Sequence, residues 1–171
     1  MKIRTDYVTN SSSSSFILVF DTVDDYTRFN RDCEWFGYEQ FCNMVNTALD
    51  QKSVEEHRKN ARELLENYFN KEKYFDTIIS GQFPDYPNNK SAELLQEVFE
   101  FENSQGYIDK LNKYLKNDED YQRKLERINN AYIVVKMMIW DTDGGILEWA
   151  IRNGFLESNF WHDLILCWNI G

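Results

Sequence analysis

The sequence predicts an α+β fold in which a small, mainly antiparallel sheet packs with a central block of helices. Three observations support this prediction. Short apolar runs rich in strand-forming residues lie near both ends of the 171-residue chain. The middle of the chain instead repeats apolar residues at helical spacing. Only two prolines and seven glycines interrupt these patterns, which indicates long elements with few breaks.

The first part of the chain, residues 2–21, is predicted as two strands joined by a serine-rich loop. Ile3 to Val8 alternates loosely between apolar and polar residues, and Phe16 to Phe20 is a continuous apolar run. The small polar residues between these runs include five consecutive serines, Ser11 to Ser15. Because such residues are typical of tight connections, the segment predicts an N-terminal hairpin.

Residues 24–130 are predicted to form the helical block. From Asp24 to Leu49 apolar residues recur at helical spacing, and Gly37 divides this stretch into two helices. The next helix begins at a capping box. In this motif the Ser53 hydroxyl accepts a hydrogen bond from a free backbone N–H, while Glu56 reaches back to the Ser53 N–H.

Three more amphipathic helices are predicted after a loop from Phe83 to Asn89, and the first of them begins at Ser91. Glu, Asp and Lys dominate the faces that are predicted to meet solvent. The faces predicted to meet the core are Leu94, Leu95, Val98 and Phe99 in the first helix, Tyr107, Ile108, Leu111, Tyr114 and Leu115 in the second, and Tyr121, Leu125 and Ile128 in the third.

The last part of the chain, residues 131–170, is predicted as strand, helix and strand. The run AYIVVKMMIW from Ala131 to Trp140 is rich in branched residues and too short to span a membrane, which predicts a central, buried strand. A turn at Asp141 to Gly145, a short helix from Ile146 to Arg152 and a final strand from Phe160 to Trp168 follow. The length fits one domain, so the whole chain is predicted as a single domain.

The formal net charge of −10 narrows the classes of partner. Phosphate backbones require clustered lysines and arginines, which the sequence lacks, and an anionic membrane would repel the chain. Neither nucleic acid nor a membrane is therefore a predicted partner. An acidic surface favours a basic partner, although simple solubility also explains the charge. The three cysteines lack disulfide or metal spacing, which favours reduced thiols in the cytoplasm.

The opening of the chain, MKIRTDYVTNSSSSSFILVF, resembles the N-terminal segment of a scattered group of uncharacterised bacterial and phage proteins. That segment begins near MK-x-R-x-x-F-V-x-N-S-S-S-S-S-F. Tyr7 stands where the group usually has Phe and keeps an aromatic ring. The resemblance implies a bacterial or phage origin and a cytoplasmic location. The matching positions are Arg4, Val8, Asn10, Ser11 to Ser15 and Phe16.

The serine block is a candidate anion site. Backbone N–H groups and hydroxyls that converge in a loop between two strands form a concave nest that binds phosphate-like anions, and Arg4 would add a positive charge. A purely structural loop, in which the hydroxyls bond to their own backbone, explains the serines as well. The candidate residues are Arg4, Asn10, Ser11, Ser12, Ser13, Ser14 and Ser15.

The second candidate site is the turn after the most apolar strand. In VVKMMIWDTDGG two aspartates stand one residue apart, and two such carboxylates can share a hard cation such as Mg²⁺. The stretch resembles the first motif of haloacid-dehalogenase-type phosphotransferases, which implies Asp141 as nucleophile and metal ligand and Asp143 as general acid/base. In that family the motif opens the domain, whereas here it lies near the end of the sequence. The alternative is a plain turn in which Asp143 caps the following helix.

No complete catalytic set is visible, because no nucleophile motif accompanies His57 or His162. Together with the acidic charge and the 16% aromatic content, this predicts a non-enzymatic, cofactor-free interaction protein with a basic or nucleic-acid-binding partner. One version is an acidic decoy for a nucleic-acid site. Its carboxylates would be Glu93, Glu97, Glu100, Glu102 and Asp118 to Asp120. The alternatives are metal binding or phosphoryl transfer at Asp141 and Asp143, and anion binding at the serine loop.

Overall fold

The structure of the protein, a computed structural model, describes residues 13–35, 39–86, 88, 90–140 and 164–170. It is an α+β fold, as the sequence predicts. The described strands are β1 (Ser13–Phe20), β2 (Ile133–Trp140) and β3 (Leu164–Ile170). The described α-helices are α1 (Val23–Trp35), α2 (Glu39–Gln51), α3 (Val54–Tyr68), α4 (Phe75–Gln82), α5 (Ala92–Glu102), α6 (Gln105–Asn117) and α7 (Glu119–Asn130). A π-helical segment, Phe69–Tyr74, joins α3 to α4.

The described sheet has the order β2-β1-β3, and both pairings are antiparallel. Phe16 of β1 pairs with Met137 of β2 and with Cys167 of β3. The sequence predicts the run from Ala131 to Trp140 as the central strand, whereas β1 takes the central place among the described strands. Every residue from Phe16 to Phe20 is completely buried, which is why β1 is apolar at consecutive positions.

Three of the serines that the sequence assigns to the loop, Ser13, Ser14 and Ser15, belong to β1. They pair with residues of both β2 and β3. A ladder uses backbone groups, so small polar side chains do not prevent strand pairing. The predicted strand from Ile3 to Val8 lies outside the described residues, as do the turn and the short helix predicted over residues 141–152.

Side-chain caps begin several of the helices. At α1 the Thr22 hydroxyl accepts from the Asp25 N–H at 3.1 Å, and the Asp25 carboxylate accepts from the Thr22 N–H at 3.0 Å. The Ser53 hydroxyl accepts from the Glu56 N–H at 3.2 Å, as predicted for α3. The Glu56 carboxylate, however, pairs with Lys52 at 3.4 Å instead of reaching back.

The chain divides into two compact units. Unit 1 consists of residues 1–58 and 131–171, and unit 2 consists of residues 59–130. One boundary falls inside α3 and the other directly follows α7, so helical spacing continues up to both of them. The helices α1 and α2, which the sequence groups with the later helices, therefore belong with the sheet.

The core of unit 1 forms between one face of the sheet and the first two helices. Phe16, Leu18 and Phe20 pack together with Val135 and Met137 of the neighbouring strand. The helices add apolar side chains to the same cluster, and two aromatic pairs tie α1 to β1 and to α2. The ring centroids are 5.1 Å apart for Phe20 and Phe29 and 6.1 Å apart for Phe29 and Phe41.

The described elements of unit 2 are all helices, joined by turns and short loops, and two of these helices face differently from the prediction. Leu95 and Phe99 of α5 are exposed, because Leu94, Val98 and Phe101 turn inward instead. In α6 the inward side chains are Tyr107, Leu111 and Leu115, which leaves Ile108 and Tyr114 exposed. No helix in the described part of the chain has the length and apolar character that crossing a membrane requires.

Candidate functional site

Most residues of the two sequence-predicted sites lie outside the part of the chain that the structure describes. Those residues are Arg4, Asn10, Ser11, Ser12, Asp141 and Asp143. The anion site at the serines and the metal site at the aspartates therefore stay predictions. Within the described ranges, no group of three or more His, Cys, Asp and Glu side chains is placed to hold a metal ion.

Ser15 is the one member of the serine block whose side chain is described, and it is 1% exposed. Its Oγ has no hydrogen-bond partner in the described structure. Buried hydroxyls are usually paired, because an unpaired one loses its hydrogen bonds to water without replacement. The self-satisfied loop hydroxyl that the sequence suggests is therefore not found at Ser15.

The acidic residues proposed for a decoy surface have different environments. The carboxylate of Asp118 is buried, with its side chain 4% exposed. The carboxylate of Asp120 contacts Arg123 at 2.6 Å and Lys124 at 2.5 Å within α7. Both carboxylates are thus engaged inside unit 2. Of the proposed set, the four glutamates of α5 and Glu119 remain.

Asp118 is a structural group that joins two parts of unit 2. Its carboxylate contacts Lys73 Nζ at 2.5 Å and accepts a hydrogen bond from the Tyr74 hydroxyl. It also caps α7, because it accepts from the Tyr121 N–H at 2.9 Å. Burial alone would raise the pKa of this carboxyl, but the three donors outweigh burial and lower the pKa from 3.8 to about 2.

The first candidate site is an acidic–apolar surface on α5. Leu95 is 42% exposed and Phe99 is 61% exposed, and they lie one turn apart on the same side of the helix. The helix AELLQEVFEFE contains four glutamates and no lysine or arginine. We refer to this set as the α5 surface. Its members are Leu95, Phe99, Glu93, Glu97, Glu100 and Glu102.

The charges of the α5 surface are not compensated within the described structure. None of its glutamates forms an ion pair with a described residue, and Glu100 only accepts from the Gln96 amide at 2.8 Å. Glu100 and Glu102 lie in the last turn, where the helix dipole disfavours negative charge. Burial and then the charge of Glu102 raise the pKa of Tyr107 to about 12. The helix dipole thus favours Glu93, in the first turn, but disfavours Glu100 and Glu102, and these charges remain available to a cation from outside.

The second candidate site is an open cleft in unit 1. It has a volume of about 690 Å³, which is within the usual range for small-molecule sites, and α2 and β2 line it together. Along α2 the polar side chains of Gln40, Asn43, Thr47 and Gln51 follow one side of the helix. Lys136 of β2 also lines the cleft.

His57 closes the inner end of this cleft. It is 1% exposed, and its Nε2 lies 2.9 Å from the carbonyl oxygen of Ala48. Its Nδ1 accepts the backbone N–H of Lys136 at 3.2 Å. The two contacts select the neutral tautomer with the proton on Nε2. His57 therefore ties the end of α2 to β2.

Lys136 carries the main unsatisfied charge of the cleft. Its ammonium group has no hydrogen bond or ion pair with any described residue, and the side chain is half-buried. Burial, and then the positive charge of Lys52, lower the pKa of Lys136 below its ordinary value of 10.5. Lys52 lines the cleft too and pairs with Glu56 at 3.4 Å.

A third cluster of reactive side chains lies between α1 and α2 and is structural. The Cys42 thiol donates to Asn30 Oδ1 at 2.8 Å, and Asn46 Nδ2 donates to the same oxygen at 3.0 Å. Burial first, and then the neighbouring Cys42, raise the pKa of Cys33. Burial also raises the pKa of Cys42. Because the thiolate is the reactive form, we expect these thiols to react slowly.

Sequence reasoning found one candidate site in part and missed the other. It proposes the four α5 glutamates as a decoy surface but assigns Leu95 and Phe99 to the core. For the cleft there was one local signal, since Lys136 is the single charged residue in the run AYIVVKMMIW. A charge that interrupts a buried strand is a candidate functional group in general.

The comparisons with known proteins give no family for this chain. No protein-family model matches the sequence, and no curated protein or solved structure is significantly similar to it.

Proposed function

We propose that this protein is a non-enzymatic interaction protein of the bacterial or phage cytoplasm, which binds a basic partner protein through the α5 surface. The observation that supports the proposal is the exposure of Leu95 and Phe99 on a helix that carries four glutamates and no lysine or arginine, with no ion pair between these glutamates and a described residue. The formal net charge of −10 favours the same class of partner over nucleic acid or an anionic membrane.

The chemistry of the α5 surface specifies the partner. Protein interfaces commonly combine an apolar centre, often aromatic, with a polar rim, and Phe99 with Leu95 provides such a centre. The negative charge that the glutamates give the same helix favours a partner with lysines or arginines near its matching apolar patch. An amphipathic helix with a basic face fits this description.

An acidic decoy for a nucleic-acid site is the narrower form of this proposal. The α5 glutamates support it, while Asp118 and Asp120 do not contribute because their carboxylates are engaged within unit 2. A decoy would compete with DNA for its target. A general basic partner would bind without such competition, so a competition assay separates the two forms.

The direct test uses a fluorescein-labelled peptide that forms a helix with leucines on one face and lysines on the other. We expect it to bind the wild-type chain in an anisotropy titration, and binding should weaken as salt rises. The double variant L95S/F99S should bind at least about tenfold more weakly, since it removes the apolar centre and keeps every charge. E97K/E100K should weaken binding through charge alone.

Two controls make this result specific. Y132S removes an aromatic side chain of similar exposure, 55%, from unit 1 and should leave the affinity unchanged. A peptide with the same composition but no continuous apolar face should bind weakly to every variant. Equal affinity of wild type and L95S/F99S for the amphipathic peptide would contradict the proposal.

A further inference from the structure

We infer that the cleft between α2 and β2 in unit 1 binds a small organic anion, whose carboxylate or phosphate group pairs with Lys136 and Lys52. This inference depends on residues of unit 1 alone and is independent of the proposed role of the α5 surface. The cleft has the size of a small-molecule site, about 690 Å³, and it opens to solvent.

The charge of the cleft points to an anion. Lys136 extends from a largely apolar strand and has no ion pair with any described residue. A half-buried ammonium without a partner is unfavourable, since burial removes water and leaves nothing in its place. Lys52, also in the cleft, adds like charge and so lowers the pKa of Lys136. An anion between the two ammonium groups would relieve both effects.

The other residues that line the cleft indicate the chemistry of the rest of the ligand. Gln40, Asn43 and Thr47 offer amide and hydroxyl groups that can donate to or accept from polar atoms of a ligand. The methionines of the cleft, Met44 and Met138, give it an adaptable apolar wall. A ligand with a charged head and a short apolar body therefore fits better than a bare ion. Glu39, also in the lining, disfavours a second negative charge near it.

Buried hydrogen bonds beside the cleft fix part of its backbone, which distinguishes it from a surface depression. The buried His57 bonds to the Ala48 carbonyl and to the Lys136 N–H, so the backbone that carries the lysine is fixed. Fixed supporting contacts reduce the ordering that a ligand must impose when it binds.

The test is an NMR or thermal-shift titration of the full chain with four probes. Phenyl phosphate and benzoate carry an anionic head and an apolar body, benzyl alcohol carries the body alone, and inorganic phosphate carries the head alone. We expect at least one of the first two to bind and to bind more tightly than the last two. The ranking of phenyl phosphate and benzoate decides between a phosphate and a carboxylate head.

The variants K136M and K52M locate the site. K136M should weaken binding of the better probe by at least about tenfold, as the loss of a charge-assisted contact does. K52M should weaken it less, because Lys52 already pairs with Glu56. K59M, which changes an exposed lysine of unit 2, is the control and should leave the affinity unchanged. Should K136M prove unable to fold, K52M carries the test alone. Equal affinity for benzyl alcohol, no binding of either anion, or unchanged affinity in both cleft variants would overturn the inference.

Discussion

Lys136 in unit 1 and Asp118 in unit 2 are both charged groups that are partly or largely removed from water. They differ in the partners that the surrounding residues provide for the charge. Asp118 has Lys73, Tyr74 and the Tyr121 N–H as donors, whereas Lys136 has no described partner. Burial opposes ionisation of both groups. At Asp118 the hydrogen bonds outweigh burial and lower the pKa, and at Lys136 nothing opposes burial.

The difference teaches how a structural charge can be distinguished from a functional one. A group whose hydrogen bonds are complete within its own unit holds that unit together and has little capacity for a ligand. A group that is partly desolvated and unpaired destabilises its unit unless something from outside binds to it. By this criterion Asp118 belongs to the architecture of unit 2, and Lys136 belongs to a site.

The largest expected effect is a loss of stability when Asp118, the structural charge, is changed. D118N should lower the free energy of unfolding by about 2 kcal/mol, because it removes an ion pair and weakens a helix cap. Urea unfolding followed by far-UV circular dichroism measures this change. Tryptophan fluorescence reports the unfolding of unit 1 in the same titration, since residues 59–130 contain no tryptophan.

The matched control is D120N. Asp120 lies two positions away and pairs with Arg123 and Lys124, but its side chain is 39% exposed, so solvent screens these pairs. A loss of less than about 0.5 kcal/mol is expected there. If D118N and D120N prove equally stable, the buried network is not structural.

The second expected effect is the pH dependence of the same group. The pKa of Asp118 falls from 3.8 to about 2 on folding, so its contribution is complete above pH 4 and is lost as pH falls towards 2. The stability difference between wild type and D118N should therefore shrink by about half at pH 3 relative to pH 6. Urea titrations of both proteins across this range measure it. A difference that stays constant would contradict the lowered pKa.

A smaller effect on the free energy of unfolding is expected for Lys136, the charged group without a described partner. K136M should leave the free energy of unfolding within about 0.5 kcal/mol of wild type or raise it, because it removes an unpaired charge. Folding lowers the pKa of Lys136, so the wild type gains stability relative to K136M as pH rises towards 10.5. Urea unfolding at pH 7 and pH 10 checks both statements. A loss comparable to that of D118N would mean that Lys136 has a structural partner.

The last prediction concerns reactivity and involves no change in stability. Burial raises the pKa of Cys33 and Cys42, so iodoacetamide at pH 8 should leave both thiols unmodified in the native chain. Peptide mass spectrometry after labelling, with and without denaturant, measures this. Rapid native labelling of either peptide would show that the core of unit 1 is as open as the cleft beside it.

Several elements could be predicted from the sequence because their signals are local. The cap at Ser53 and the N-cap at Ser91 depend on residues a few positions apart. The apolar runs at Phe16 and at Ile133 likewise predict strands by composition alone. The π-helical segment Phe69–Tyr74 was not predicted, because its spacing differs from that of an α-helix by one residue per turn.

The candidate sites could not be predicted in the same way. Leu95 and Phe99 share helical spacing with the buried Val98, and spacing cannot tell which neighbouring face meets the core. Lys136 stood out in the sequence, but its importance depends on His57, 79 positions away along the chain. In the sequence Asp118 resembles its acidic neighbours, and only its contacts with Lys73 and Tyr74, more than 40 positions away, distinguish it from a surface carboxylate.

The sequence by itself determined the α+β class, the positions of most helices and strands, and the acidic net charge. Only the tertiary structure decided that β1 is central among the described strands, that α1 and α2 join the sheet, and which charges are paired. The physical reason is one of range. Helical spacing, caps and turn residues act over a few positions, whereas burial and ion pairing depend on residues that only folding brings together.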